Sequence, residues 1–104
     1  MNAKHTFYIG LNDKDSKIQM IDTLTAARLI QQTFAKHKTD CTITNGNGVY
    51  THSDGTITTE QTIIVTVFEF GNETPIIPIC NDLKQLLNQE SIAVETQQTN
   101  SALY

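Results

Sequence analysis

The chain has no tryptophan, a single arginine (Arg28), two prolines and two cysteines. Each scarcity closes off a class of function. Seven lysines and arginines, placed singly against eleven acids, leave a net charge of −4. Nucleic-acid binders gather basic side chains into a stripe that neutralises phosphates, and no such stripe is present. Direct binding of RNA or DNA is therefore not expected. Eleven acids are also too few for the dense anionic row of a nucleic-acid mimic. Cys41 and Cys80 match no ligand spacing such as Cys-x-x-Cys. Both sit in apolar patterns, which points to buried free thiols and a reducing cytoplasm. No apolar run approaches the length of a membrane span. The residues after Met1 hold no signal-peptide core, so a membrane partner is not expected.

What is present is enough for one domain. A chain of 104 residues can bury a core without disulfide or metal staples. "HTFYIGL" (5–11) alternates, with Phe7, Ile9 and Leu11 on one side, and reads as a strand. "NDKDSK" (12–17) is a polar turn. Residues 22–37 read as a helix capped by Asp22 or Thr23, with Leu24, Ala27, Ile30 and Phe34 at helical spacing. "CTITNGNGVYTH" (41–52) and "TITTEQTIIVTVFEF" (56–70) read as the arms of a hairpin turned at Asp54-Gly55, with a bulge or bend at Asn45–Gly48. A second helix opens at Thr74 and Pro75. Its stripe is Ile76, Ile79, Cys80, Leu83, Leu86 and Leu87. "SIAVET" (91–96) is a last strand, and 97–104 is a tail.

The order β-α-β-β-α-β matches the ferredoxin-like arrangement, an α+β fold in which two helices cover one face of a four-stranded antiparallel sheet. The domain is expected over 1–96, with the first strand and the second hairpin arm in the centre of the sheet.

The chemistry-bearing stretch is "NGVYTHSDGTITTEQT" (47–62). As a metal site it would use His52, Asp54 and Glu60. Yet no His pair on a helical face and no Cys-x-x-Cys supports it, and a polar hairpin tip explains it better. As a phosphate loop, "NGNG" lacks the strand-to-helix context that aims amides at an anion. No Gly-x-Ser-x-Gly is present, and Cys41 has no partner that sequence can identify. No catalytic residue, metal ligand or cofactor is therefore expected. "FYIGLN" (7–12) resembles the first-strand motif of the RNA-recognition fold, with Tyr8 at the base-stacking place. The partner strand lacks the matching basic-aromatic motif.

The central strand is apolar on both faces. Ile63, Val65 and Val67 suit the helix side. Ile64, Phe68 and Phe70 then share the open side with Tyr8. Each large apolar group left there forgoes about 1.5–3 kcal/mol of burial, so this face is expected to be covered. A face-to-face homodimer, a folded-back tail with Leu103 and Tyr104, or an outside partner would do so.

"TFYIGLNDKDSK", "GVYTHSDGT" and "LNQESIAV" carry a resemblance that spans most of the chain. They look like a family of small uncharacterised proteins encoded on phages and mobile elements of low-GC Gram-positive bacteria. Similar small acidic proteins include anti-CRISPR inhibitors of type II effector nucleases. The resemblance implies a non-enzymatic inhibitor whose protein partner is a CRISPR effector, bound by charge in its basic channel. The residues it would use are Asp13, Asp15, Asp54 and Glu60 in loops, with Tyr8, Ile64, Phe68 and Phe70 on the open face. The alternative is a ferredoxin-like homodimer with a regulatory role or a small-molecule pocket lined by Tyr8, His5 and Phe68.

Overall fold

The alternation of the first strand is the seed of the architecture. In the computed structural model, which describes residues 2–104, Phe7 and Ile9 are wholly buried while Tyr8 between them is 43% exposed. The elements are β1 (Asn2–Gly10), α1 (Thr23–Lys36), β2 (Thr42–Thr51), β3 (Ile57–Glu69), α2 (Ile76–Leu86) and β4 (Ala93–Thr99). The four strands lie in the order β2-β3-β1-β4 and every neighbouring pair is antiparallel. This is the ferredoxin-like βαββαβ sheet, with β3 and β1 central and one face left open. No helix among the described residues is long and apolar enough to cross a membrane.

The core lies between the sheet and the helices. Ile63, Val65 and Val67 of β3 join Phe7 and Ile9 against Ala26, Ile30 and Phe34 of α1 and Ile79 and Leu83 of α2. Phe7 meets Phe34 edge to face, centroids 5.1 Å apart at 88°. Asp22 caps α1, accepting from Thr25 N at 3.1 Å and Thr25 Oγ1 at 2.6 Å. The buried stripe of α1 is Ala26, Ile30, Thr33 and Phe34. Leu24, expected in the core, is 62% exposed, because it sits in the first turn and faces outward. In α2, Pro75 takes the cap position and no side chain caps the helix. Thr74 instead gives its backbone N–H to Glu69 Oε1 at 2.8 Å.

The β2–β3 pairing runs from Thr42↔Thr66 to Thr51↔Ile57 without a slip. The expected bulge at Asn45–Gly48 is therefore absent, and its glycines occupy ordinary ladder positions. Asp54 closes the turn by accepting from Thr56 N at 3.0 Å, and Gly55 has φ +88°. β1 reaches along β3 only as far as Gly10↔Thr62. Beyond that point the outer hairpin has no neighbouring strand. β4 runs to Thr99, past the expected end at Thr96. Leu103 and Tyr104 are exposed and cover nothing.

The two polar ties hold the ends together. His5, buried on the helix side, places Nδ1 2.9 Å from Thr96 Oγ1 and Nε2 2.9 Å from Glu69 Oε1. Glu69 is held at a pKa of about 2, first by the His5 hydrogen bond and then by Thr74. At the other end Asn88 closes α2 in the left-handed region, φ 48°. Its Nδ2 donates to Asp13 Oδ1 at 2.8 Å and Asp15 Oδ2 at 2.9 Å. Its carbonyl accepts from Lys14 N at 3.0 Å.

Two outcomes follow. A carboxylate with a depressed folded pKa stabilises the protein above its unfolded value, and that stability is lost as pH falls through the folded one. Urea midpoints of the wild type should therefore drop between about pH 4.5 and pH 2, more steeply than those of Glu69→Gln; parallel curves would remove the assignment. Asn88→Gly retains the left-handed helix end but loses both side-chain donors. Amide exchange should then quicken at Asp15–Lys17 while α2 stays protected, and unchanged exchange would show that the clamp does not order the loop.

Candidate functional site

The open face of the sheet carries a cleft of about 660 Å³ at the end where β1 stops. Its floor is made by alternate residues: Tyr8 and Gly10 from β1, Thr58, Glu60 and Thr62 from β3, and Tyr50 from β2. Its walls are the 12–17 loop and the segment 89–91 leading into β4. The strand registers explain this gathering. Gly10 pairs with Thr62, Gly48 with Glu60 and Tyr50 with Thr58, so all these side chains emerge on the face away from the helices.

Glu60 is the centre of the cleft. Its carboxylate lies over Gly10 and accepts the Asn12 backbone N–H at 2.9 Å. The geometry has a local cause. β1 ends at Gly10, Leu11 N still donates to Gln61 O at 3.0 Å, and the next outward carboxylate on β3 takes the amide at Asn12. Tyr50 lies diagonal to Glu60 on the neighbouring strand. Burial first, and then the nearby Glu60 charge, push the phenol's pKa upward. Tyr50 therefore presents a neutral phenol beside the carboxylate. His52 Nε2 lies 2.6 Å from Thr58 Oγ1 across the hairpin.

The loop wall is built rather than loose. Asp13 Oδ2 accepts from Asp15 N and Ser16 N, each at 3.0 Å. These bonds and Asn88 hold the Asp13 carboxyl below the usual range, with Ser16 the main cause. Gln89 Nε2 donates to Asn12 O at 2.8 Å. So Asn12 is fixed through its carbonyl by Gln89 and through its N–H by Glu60. Lys17, at φ 67°, donates from Nζ to Lys14 O at 2.6 Å, and both lysines stand on the rim. The cleft thus has a carboxylate on its floor and a rim of mixed charge, Lys14 and Lys17 beside Asp13 and Glu90.

Of the residues expected to make contacts, Tyr8, Asp13 and Glu60 line the cleft. Asp15 is taken up by the Asn88 clamp, and Asp54 stands at the hairpin tip with Thr56. Ile64 lies in the middle of the open face. Phe68 and Phe70 stack at its far end, centroids 6.2 Å apart, with Lys4 Nζ 6.0 Å from the Phe68 ring. The three-residue pocket of Tyr8, His5 and Phe68 does not form: His5 points to the helix side, and Phe68 is outside the cleft. His52, Asp54 and Glu60 each have separate partners, and no group of three or more potential metal ligands exists among the described residues. The sequence assigns Tyr50 no role and reads Gly48 as part of a bulge, where the structure places both on the cleft face. The signal was available. Counting back from the Asp54-Gly55 turn with an unbroken register puts Tyr50, Gly48 and Glu60 on one face.

No family model and no curated protein matches the chain. Among solved structures, it is similar to a phage SAM lyase in complex with S-methyl-5'-thioadenosine, with a TM-score of 0.65 and 20% identity over 93% of this chain and 81% of that one. The apo state of a phage SAM lyase gives a TM-score of 0.61 and 21% identity, covering 91% of this chain and 78% of the other. At this identity the likeness establishes a shared fold. The expectations of a non-enzymatic protein and of an anti-CRISPR inhibitor are corrected by these two structures, which are both of an enzyme.

Proposed function

We propose that the protein is a lyase acting on S-adenosylmethionine and releasing S-methyl-5'-thioadenosine. The observation that carries this reading is the Glu60 carboxylate, held by the Asn12 amide and flanked by the Tyr50 phenol in an open-face cleft of about 660 Å³. That volume falls in the range of small-molecule sites. The neighbouring enzyme, by its description, holds S-methyl-5'-thioadenosine. A phage or mobile-element origin, implied by the sequence resemblance, agrees with the phage source of that enzyme.

The chemistry of the substrate fits the charge pattern of the cleft. S-adenosylmethionine is a cation at sulfur and at its amino group, and an anion at its carboxylate. The floor carboxylate suits the first two, and Lys14 and Lys17 on the rim suit the third. The Tyr8 ring, 43% exposed, offers a flat apolar surface for a purine. The bond that breaks joins sulfur to Cγ of the amino-acid arm. Its electron pair stays on sulfur, which leaves as a neutral thioether and needs no general acid. The four-carbon fragment balances the loss either by attack of its own carboxylate oxygen on Cγ or by giving up a proton. Glu60 is placed to orient that fragment in the first route and to take the proton in the second. The Asn12 amide fixes the carboxylate in either case.

Incubation with S-adenosylmethionine should yield S-methyl-5'-thioadenosine by liquid chromatography, and mass spectrometry of the four-carbon product separates the lactone from the unsaturated amino acid. Glu60→Gln should lower kcat/KM by on the order of a hundredfold or more. Tyr50→Phe should lower it by roughly tenfold, as expected for removing one polar hydroxyl from the cleft floor. No turnover, together with no calorimetric binding of S-methyl-5'-thioadenosine, would sink the proposal.

A further inference from the structure

We infer that Gly10 and Gly48 are positioning residues: their missing side chains form the seats in which the Glu60 carboxylate and the Tyr50 phenol lie against the sheet. The inference rests on the reading of this cleft as the catalytic site.

The described glycines fall into distinct kinds. Gly55 and Gly71 have φ of +88° and +96°, and a Cβ added to either would meet nothing within 4 Å. They serve the backbone. Gly10 and Gly48 do the opposite. Neither has a positive φ, and both lie in regular strand ladders, where any residue could sit and where glycine is a poor choice. Their reason is space. A Cβ at Gly10 would stand 2.5 Å from Glu60 Oε1, 2.7 Å from its Cδ and 2.8 Å from Oε2. The whole carboxylate occupies the place of the missing methyl. A Cβ at Gly48 would stand 2.9 Å from Thr62 Oγ1, 3.0 Å from Tyr50 Oη and 3.1 Å from Tyr50 Cε2. The Thr62 hydroxyl and the edge of the Tyr50 phenol share that place. Gly46, on the same face, is a milder case, with Ile64 Cδ1 at 3.3 Å.

The pattern assigns a purpose to two sequence features that otherwise have none. The glycine of "FYIGLN" seats the carboxylate, and the second glycine of "NGNG" seats the phenol. The seats lie on the strands that flank β3, one on each side of Glu60. Together they lower both functional groups onto the floor of the cleft, where Glu60 reaches the Asn12 amide and Tyr50 lies beside it.

A methyl at Gly10 displaces the end of a long side chain and no backbone, so the fold should survive while the site does not. This separates positioning from stability. In Gly10→Ala the melting temperature should stay within a few degrees of wild type. The carboxylate should move off Tyr50, so the phenol, read by carbon NMR of labelled tyrosine and assigned with Tyr50→Phe, should titrate at lower pH than in wild type. Glu60→Gln should lower it as well, and adding Gly10→Ala to Glu60→Gln should lower it no further, since the group being positioned is gone. Turnover of S-adenosylmethionine by Gly10→Ala should fall on the order of a hundredfold, the scale of a misplacement of about 1 Å. Gly48→Ala is the second variant. It should cost turnover with a smaller change in the Tyr50 titration, because the ring tilts while Glu60 stays. An unchanged Tyr50 titration in Gly10→Ala, or an equal further shift when it is added to Glu60→Gln, would overturn the inference. If wild-type turnover is absent but the Tyr50 shifts occur as described, the seats stand and the lyase reading falls.

Discussion

The unslipped register between β2 and β3 is the constraint on which both faces of this protein depend. Side chains alternate along a strand, so shifting one arm by a single residue would exchange its faces. Ile63, Val65 and Val67 would leave the core, and Glu60 and Thr62 would enter it. Burial of the apolar set against α1 and α2 is therefore what fixes Glu60 on the open side. Tyr50 follows from the same register through its pairing with Thr58. The core thus aims the site although it touches none of its chemistry. The free energy that selects the register is hydrophobic, and the site is carried on the other side of the same strand.

Polar contacts then finish what the core begins. β1 ends while β3 continues, which leaves the Asn12 amide without a strand partner, and Glu60 fills that vacancy. The loop that follows is bound through Asn88 and Gln89 to the end of α2. Asn88 combines two tasks that local geometry makes compatible. Its left-handed backbone stops the helix, and its side chain, freed by that stop, reaches the acids of the loop. The far end of the molecule is closed in a parallel way by His5, Glu69, Thr74 and Thr96, which join three strands to the entry of α2. A charge-bearing network sits at each end of the sheet; the one beside Glu60 opens onto the larger cleft, while Glu69 and Thr74 border a smaller one of about 230 Å³.

The fold was legible because its signals are periodic. The alternation in β1, the two-faced apolar run in β3 and the stripe of α2 each state their own period, and together they imply the element order and the central strands. Leu24 misled because a residue in the first turn can match the helical spacing and still overhang the core. Thr74 misled because it looks like a cap, whereas its amide serves Glu69. The site was legible only in part. Glu60, Tyr8 and Asp13 drew notice as a charge and an aromatic ring. Tyr50 drew none, since a tyrosine in a polar strand has no distinguishing pattern until its neighbour across the ladder is known. The glycines "NGNG" were read by their conformational freedom, which predicted a bulge, when what mattered was the room they leave. Sequence gives residue type and spacing. It does not show that a carboxylate two ladder positions away leans into the gap.

The hairpin continues past Tyr50 by one further pair, Thr51 with Ile57, before turning through residues 53–55. Everything outboard of Tyr50 is exposed and is paired only with itself. Residues added there two at a time would lengthen the arm and leave every inner pair in place. A residue added between Gly10 and Asn12 would instead move the amide that Glu60 holds. The protein therefore has one end where chain length is free and one where it is fixed, and the tip at Ser53 and Asp54 is the natural place to attach a fluorophore or an affinity tag without disturbing the cleft.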